Sequence, residues 1–292
     1  MTTDLGAAAS FMASHARVLD RRRFELAVGA ADGSAVLAAV DGYRNPDGGY
    51  GWGLEPDLRA GESQPGGALH AFEVFAEAGP TPRSAALCDW LAGVTLADGG
   101  LPFALPVADP AGCAPFWVQA DPTVSTLQST AFVAGVANRV AATDPSVAGH
   151  PWLSTATRYC LDAIAALDGP PHAIALSFAV GFLDAVHDTA PEAPALLDRL
   201  GEFIPPDGLV PVGGGQPDET MRPLDFAPSP GPARRLLSSA AIAADLRRLA
   251  AAQQDDGGWR VDFASYSPAA ELEWRGYATV SAVLVLLRNG VL

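Results

Sequence analysis

Apolar and polar positions along the chain fall in helical order. Stretches such as AALCDWLAGVT (85–95) and APALLDRLGEFI (193–204) place apolar residues three and four apart, the pattern of an amphipathic helix. A second set is more apolar and rich in small residues: QPGGALHAFEVFAEAG (64–79), STLQSTAFVAGVANRVAA (125–142), IALSFAVGFLDAV (174–186), LLSSAAIAADLRRLAAA (236–252) and YATVSAVLVLLRNG (277–290). Strand-like alternation is confined to fragments such as WRVDF (259–263). Between the helical stretches an acid–glycine signal recurs, in NPDGGYGWGLEPD (45–57), LADGGLPFALP (96–106), PPDGLVPVGGG (205–215) and QDDGGWRVDF (254–263), with a degenerate copy in LDGPPHAIA (167–175). Glycine supplies the backbone freedom to leave a helix and turn.

The repeating unit is therefore helix, DGG turn, loop, helix. Tandem helix pairs with the apolar member inside form an open solenoid or close into a ring. The length suits five to six pairs, so the expectation is an all-α fold, a single α/α toroid over 1–292. Residues 1–20 form an N-terminal extension or a first helix.

Composition narrows the partners. The chain has 292 residues and a formal charge of −15. Phosphate neutralisation needs many cations on one face, so no nucleic acid is expected. The same balance argues against docking on anionic lipid. Three cysteines without a CxxC make no disulfide framework. No signal peptide and no uncharged run of 18 apolar residues is visible, so a cytoplasmic protein without an integral membrane segment is expected.

The segment RRLAAAQQDDGGW (247–259) resembles the QW-type repeat of the terpenoid cyclase and protein prenyltransferase superfamily, with Gln254 and Gly257-Gly258-Trp259 in the pattern. NPDGGYGW and ADGGLPF are weaker copies without the glutamine. The resemblance implies a structural role: the glutamine caps an adjoining helix and the tryptophan stacks beneath it. It also implies a hydrophobic isoprenoid or prenylated substrate, with a carboxylic acid starting carbocation cyclisation. Two motifs of the superfamily are missing. No D-x-C zinc pair occurs, and the five histidines show no paired spacing. Where cyclases carry D-x-D-D-T-A, this chain has Thr126, Gln128 and Ser129 in place of the aspartates, with Thr130 and Ala131 retained. No cofactor is expected, magnesium entering only with a bound diphosphate.

Acids beside aromatics or proline precede several helices: Glu55 and Asp57, Asp121, Asp225 with Phe226, and Glu271 and Glu273 with Trp274. One reading is helix capping, with Asp121, Ser125 and Gln128 as cap and capping box. The other is a ring of carboxyls at a cavity mouth, where crowding and apolar walls raise the pKa for acid catalysis. On the second reading the catalytic candidates are Asp121, Asp225 and Glu273. Trp52, Asp57, Phe72, Trp117, Phe226, Tyr266, Trp274 and Tyr277 are candidates for binding substrate, since aromatic faces stabilise cations; core packing is the alternative for each aromatic. Arg59, Arg222 and Arg275 lie near these acids, as ion-pair partners or diphosphate grips. His70 and Glu73 share a helix face as a base pair or a satisfied buried contact. Two other functions stay open: a non-catalytic isoprenoid-binding or scaffold toroid, and a carbohydrate-active enzyme with facing carboxyls and aromatic platforms.

Overall fold

In the computed structural model, which describes residues 3–292, the chain is all-α. The described residues form α1 (Leu5–His15), α2 (Val18–Ala27), α3 (Gly33–Val40), α4 (Pro65–Ala78), α5 (Pro82–Val94), α6 (Pro115–Val118), α7 (Leu127–Ala141), α8 (Pro145–Ala148), α9 (Pro151–Ala165), α10 (Ala173–Val186), α11 (Ala193–Gly201), α12 (Pro223–Phe226), α13 (Ser239–Ala251) and α14 (Pro268–Arg288). Strands β1 (Val210–Pro211) and β2 (Thr220–Met221) pair antiparallel over two residues each. The alternating fragment 259–263 forms no strand. Proline opens α4, α5, α9 and α14, where its missing N–H costs nothing. Side chains of Asp4, Thr81, Thr126, Ser238 and Ser267 cap helix N-termini by accepting backbone N–H bonds.

The acid–glycine turns are built alike. Asp47, Asp98, Asp207 and Asp256 each accept a bond from the backbone N–H two residues on, at 2.9–3.1 Å. The glycine between has φ of +93° (Gly48), +90° (Gly99), +73° (Gly208) and +92° (Gly257). Three turns are also closed by a backbone bond of 2.8–2.9 Å, from Asn45 N–H to Gly49 O, Leu96 N–H to Gly100 O, and Gln254 N–H to Gly258 O. Each lays its bare glycine on another helix. A Cβ on Gly48 would lie 3.0 Å from the Ala86 carbonyl of α5, one on Gly99 would lie 3.1 Å from Thr155 of α9, and one on Gly257 would overlap the Ala7 carbonyl of α1. The residue after the turn then donates to a buried threonine: Leu101 N–H to Thr130 Oγ1 on α7 at 2.8 Å, and Trp259 N–H to Thr279 Oγ1 on α14 at 3.0 Å.

The last turn thus rests on the first helix. Gln253 Nε2 donates to the carbonyl of Asp4, the N-cap of α1, and Gln253 Oε1 accepts from the Asp4 N–H, both at 2.8 Å. Gln253 makes the helix-end contact expected of Gln254, whose amide bonds the nearby Ala252 carbonyl instead. Trp259 is buried, and its indole N–H satisfies the Leu249 carbonyl at the end of α13. Around it Ala8, Phe11, Met12, Phe24, Val280, Val283 and Leu286 form a core of their own where the two ends of the chain meet.

Helix contacts run in a closed circuit, α2–α4–α7–α10–α12–α13–α14 and back to α2. Within it α4, α7 and α10 bury most of their apolar residues, with Phe132, Val136 and Phe178 only partly covered. Gly135 lets α7 approach the Phe182 backbone of α10, to 3.2 Å from an added Cβ. One expected inner helix is not one: α13 buries only Ile242 and Asp245. Most of its remaining apolar positions are alanines, and Arg247 and Arg248 hold it against solvent.

Gly257→Ala meets both a forbidden dihedral and the Ala7 carbonyl, whereas Gly29→Ala, at φ +74°, meets open space. We expect Gly257→Ala to cost about 3 kcal/mol or more and Gly29→Ala about 1 kcal/mol, measured by denaturant unfolding.

Candidate functional site

The loop 50–64 before α4 is pinned by α2. Arg17 Nη1 donates to the carbonyls of Gly53 and Leu54, at 3.1 Å each, while its Nε bonds buried Asp20 at 2.8 Å. Arg17, Asp20 and Arg23 stand three apart and share one face of α2. Arg23, buried, pairs with Glu77 of α4 at 2.6 Å and lies over the Tyr277 ring.

On this support the loop presents Asp57. Its carboxyl is buried and accepts two bonds from the far end of the chain: the Trp274 indole N–H of α14 at 2.7 Å and the backbone N–H of Tyr266, just before α14, at 3.1 Å. Burial raises its pKa above the ordinary aspartate range and Glu55 and Glu273 add to that, against the pull of the two donors. Glu273 itself is ion-paired to Arg59 at 2.5 Å.

Behind Asp57 lies a second set of ionisable groups. Both ring nitrogens of buried His70 face carboxylates at 3.0 Å, Nε2 toward Glu55 and Nδ1 toward Glu73. Carboxylates only accept, so both nitrogens carry protons and the ring is an imidazolium. Burial opposes that charge, but the two glutamates outweigh it and hold His70 at about 9. Burial likewise pushes Glu73 up; His70, Arg23 and the Tyr277 hydroxyl bring it below its usual range. Tyr277, donating to Glu73 at 2.7 Å, is pushed well up by burial and by that same carboxylate.

Aromatic rings surround this set. Trp274 packs edge-on against Phe263, Tyr277 and His70, with centroids 5.0–6.1 Å apart. Trp117 stacks on Phe103 at 4.5 Å and lies against Gly66 beside Glu55. Phe116 and Tyr266, 5.5 Å apart, extend the aromatic surface to solvent. Six expected site residues therefore gather at one place: Asp57, Trp117, Tyr266, Glu273, Trp274 and Tyr277.

The others lie elsewhere. Asp121 is exposed, and its carboxyl accepts from the Thr123 N–H and hydroxyl, which hold it below its usual pKa. It closes a local turn; the cap of α7 is Thr126. Asp225 accepts from the Arg222 N–H in a capping box. Desolvation by surrounding protein, with Asp262 and Asp245, raises it to about 6. The residue is nevertheless open to solvent, which moderates that shift, and it stands on α12 with Asp245, Arg248 and Asp262 as its charged neighbours rather than Asp57. Phe72 is fully buried and stacks on Trp152, and Phe226 is equally buried, so both are core. Trp52 is 60% exposed, covers Gly61 and donates to Asn45, clamping its turn. Arg275 pairs with Asp256 of the last turn.

Among the described residues no group of three or more His, Cys, Asp or Glu side chains is placed to hold a metal ion. Two open surface grooves lie apart from the site, one between Asp98–Gly99 and α9, the other between Arg44–Pro46 and Pro82–Arg83. No described helix is long and apolar enough to cross a membrane. The chain matches no family model, and no curated protein matches it.

Arg17, Asp20, Arg23 and Glu77 were not among the expected site residues. The three-residue spacing of the first three is visible in the sequence, but their partners are distant in it.

The His70 charge gives a signed pH dependence. Its folded pKa exceeds the ordinary 6.5, so the contribution is complete below pH 6.5 and is lost as pH rises through about 9. We expect unfolding free energy to fall by up to roughly 3 kcal/mol across that window. His70→Gln should flatten that segment of the profile.

Proposed function

We propose that the chain is an α/α toroid of the terpenoid-cyclase kind that handles a hydrophobic, cation-forming isoprenoid substrate, with Asp57 rather than Asp121 or Asp225 as its acid. The observation that carries the reading is the Asp57 carboxyl, raised in pKa by burial and bonded by Trp274, whose ring packs on Tyr277 and Phe263. A carboxyl held toward its neutral form is able to give a proton to an alkene, and ring faces lower the energy of the cation that results. The imidazolium of His70 and the carboxylates of Glu55 and Glu73 fix the electrostatics behind it. In this reading Trp117, Phe116 and Tyr266 line the approach, and Glu273 with Arg59 forms its polar edge.

A second reading has one observation in its favour. Both Asp57 oxygens already accept N–H bonds, and such bonds favour the ionised form. A toroid that binds an isoprenoid without converting it would use Asp57 as a strut between the loop 50–64 and α14.

Incubation with prenyl diphosphates and polyprenes, with product analysis, separates the two. The catalytic reading predicts cyclised or hydrated product that Asp57→Asn lowers by about 100-fold or more, with the unfolding midpoint monitored in parallel. Ligand-induced stabilisation without product supports the binding reading. Product formation that survives Asp57→Asn contradicts the assignment of the acid.

A further inference from the structure

The chain contains no lysine, and eleven of its 18 arginines lie within 4.0 Å of a carboxylate. With 33 acids present, an arginine without an acid partner calls for explanation. Among the described residues seven arginines have none within that distance, and three of the seven, Arg139, Arg234 and Arg288, belong to one end of the molecule. Arg139 is in the last turn of α7, Arg288 in the last turn of α14, and Arg234 in the 3-10 turn Pro232–Leu236.

Direct contacts tie these elements together. Arg234 Nη2 donates to Asn289 Oδ1 at 2.6 Å, and Asn289 Nδ2 donates to the Pro228 carbonyl at 2.8 Å. The Ala233 N–H donates to Asp184 of α10 at 2.8 Å. Arg139 Nη2 donates to the Gly181 carbonyl one turn earlier on α10, at 3.2 Å. Arg139, exposed at the end of α7, is within electrostatic reach of Asp184, Arg288 and Glu73 of α4. Arg234 feels the same Asp184. Desolvation lowers the pKa of both Arg139 and Arg234, the mark of guanidiniums crowded by protein without full compensation. Glu73 is already paired with His70, so three guanidiniums against Asp184 leave two positive charges, matching a phosphate dianion. A partly exposed apolar stripe, Phe132 and Val136 of α7 with Phe178 of α10, leads to the cluster.

We propose that Arg139, Arg234 and Arg288 form an anion site that binds a phosphate group. Guanidinium forks match phosphate oxygens in geometry, and the stripe beside them fits a phosphate ester with an apolar body. The site is distinct from the acid–aromatic one: Trp274 and Arg288 stand 14 residues apart on α14, about 20 Å along the helix. It does not depend on the function proposed for Asp57. The competing account is that Arg139 and Arg288 complement helix dipoles; it supplies no phosphate binding and no role for Arg234.

Titration calorimetry of the full chain with inorganic phosphate, at low ionic strength and about pH 8, tests the site. We expect one saturable site, weakened about tenfold or more by Arg139→Gln and by Arg288→Gln, as loss of a charge-assisted fork should do. Asp184→Asn, which removes the opposing charge while keeping an acceptor for Ala233, should tighten it. Arg260→Gln, an exposed arginine elsewhere, should leave it unchanged. Unfolding midpoints accompany each variant; if Arg139→Gln is destabilised, exposed Arg288 carries the comparison. Absence of saturable binding, or binding that the Arg139→Gln/Arg288→Gln double variant retains, overturns the proposal.

Discussion

An aspartate that bonds the backbone two residues ahead, across a glycine with positive φ, is the constraint on which this molecule depends. The bond fixes the turn, and the missing side chain lets the turn lie directly on another helix. Any Cβ at Gly257 would strike the Ala7 carbonyl, so the closeness of that contact is a consequence of composition rather than of packing alone. Repeated along the chain, the device seats three of its turns on another helix, Gly48 on α5, Gly99 on α9 and Gly257 on α1. At the last repeat it sets the C-terminal pair against α1, with Gln253 bonded to both backbone groups of Asp4.

That closure positions the acid–aromatic site. Asp57 comes from a loop near the beginning of the chain, and Tyr266 and Trp274 from near its end. Their hydrogen bonds form only because α14 packs on α2 and α2 pins the loop through Arg17. The buried charges follow the same logic. Arg23 and Glu77, or His70 with Glu55 and Glu73, would each be costly to bury alone. As a connected set they satisfy one another, and they fix the charge that Asp57 experiences. The ends of the helices also differ in character. The loop 50–64 and the segment around the start of α14 carry carboxyls and rings, whereas the C-terminal turns of α7 and α14 carry arginines without acid partners.

What could be read from the sequence divides by the range of the interactions involved. The turns were legible because Asp-Gly chemistry is local and recurs. The all-α class was legible because apolar residues keep helical spacing in every long segment. Asp57, Glu273 and Trp274 drew notice as acids and rings before helices. The same signal misplaced Asp121 and Asp225, because a carboxylate ahead of a helix reads alike whether it faces inward or outward. In Asp121 the Thr123 hydroxyl two residues on decides the matter. Phe72 and Phe226 were misplaced because a ring in the core and a ring in a cavity share one periodicity. The pairing of His70 with Glu73 was legible as an i, i+3 contact. Its second partner Glu55, and the Arg23–Glu77 pair 54 residues apart, depend on tertiary structure that no local pattern encodes.

Native-state amide hydrogen exchange tests the closure most directly, by comparing α1 with the last turn and α14. If the final turn clamps the first helix, the amides of Ala8–Met12 should exchange through the same opening, with the same free energy, as Trp259 and the Thr279–Val283 segment. Rapid exchange throughout α1, while Trp259 and α14 remain protected, would mean that the first helix is a frayed end and that the circuit is open.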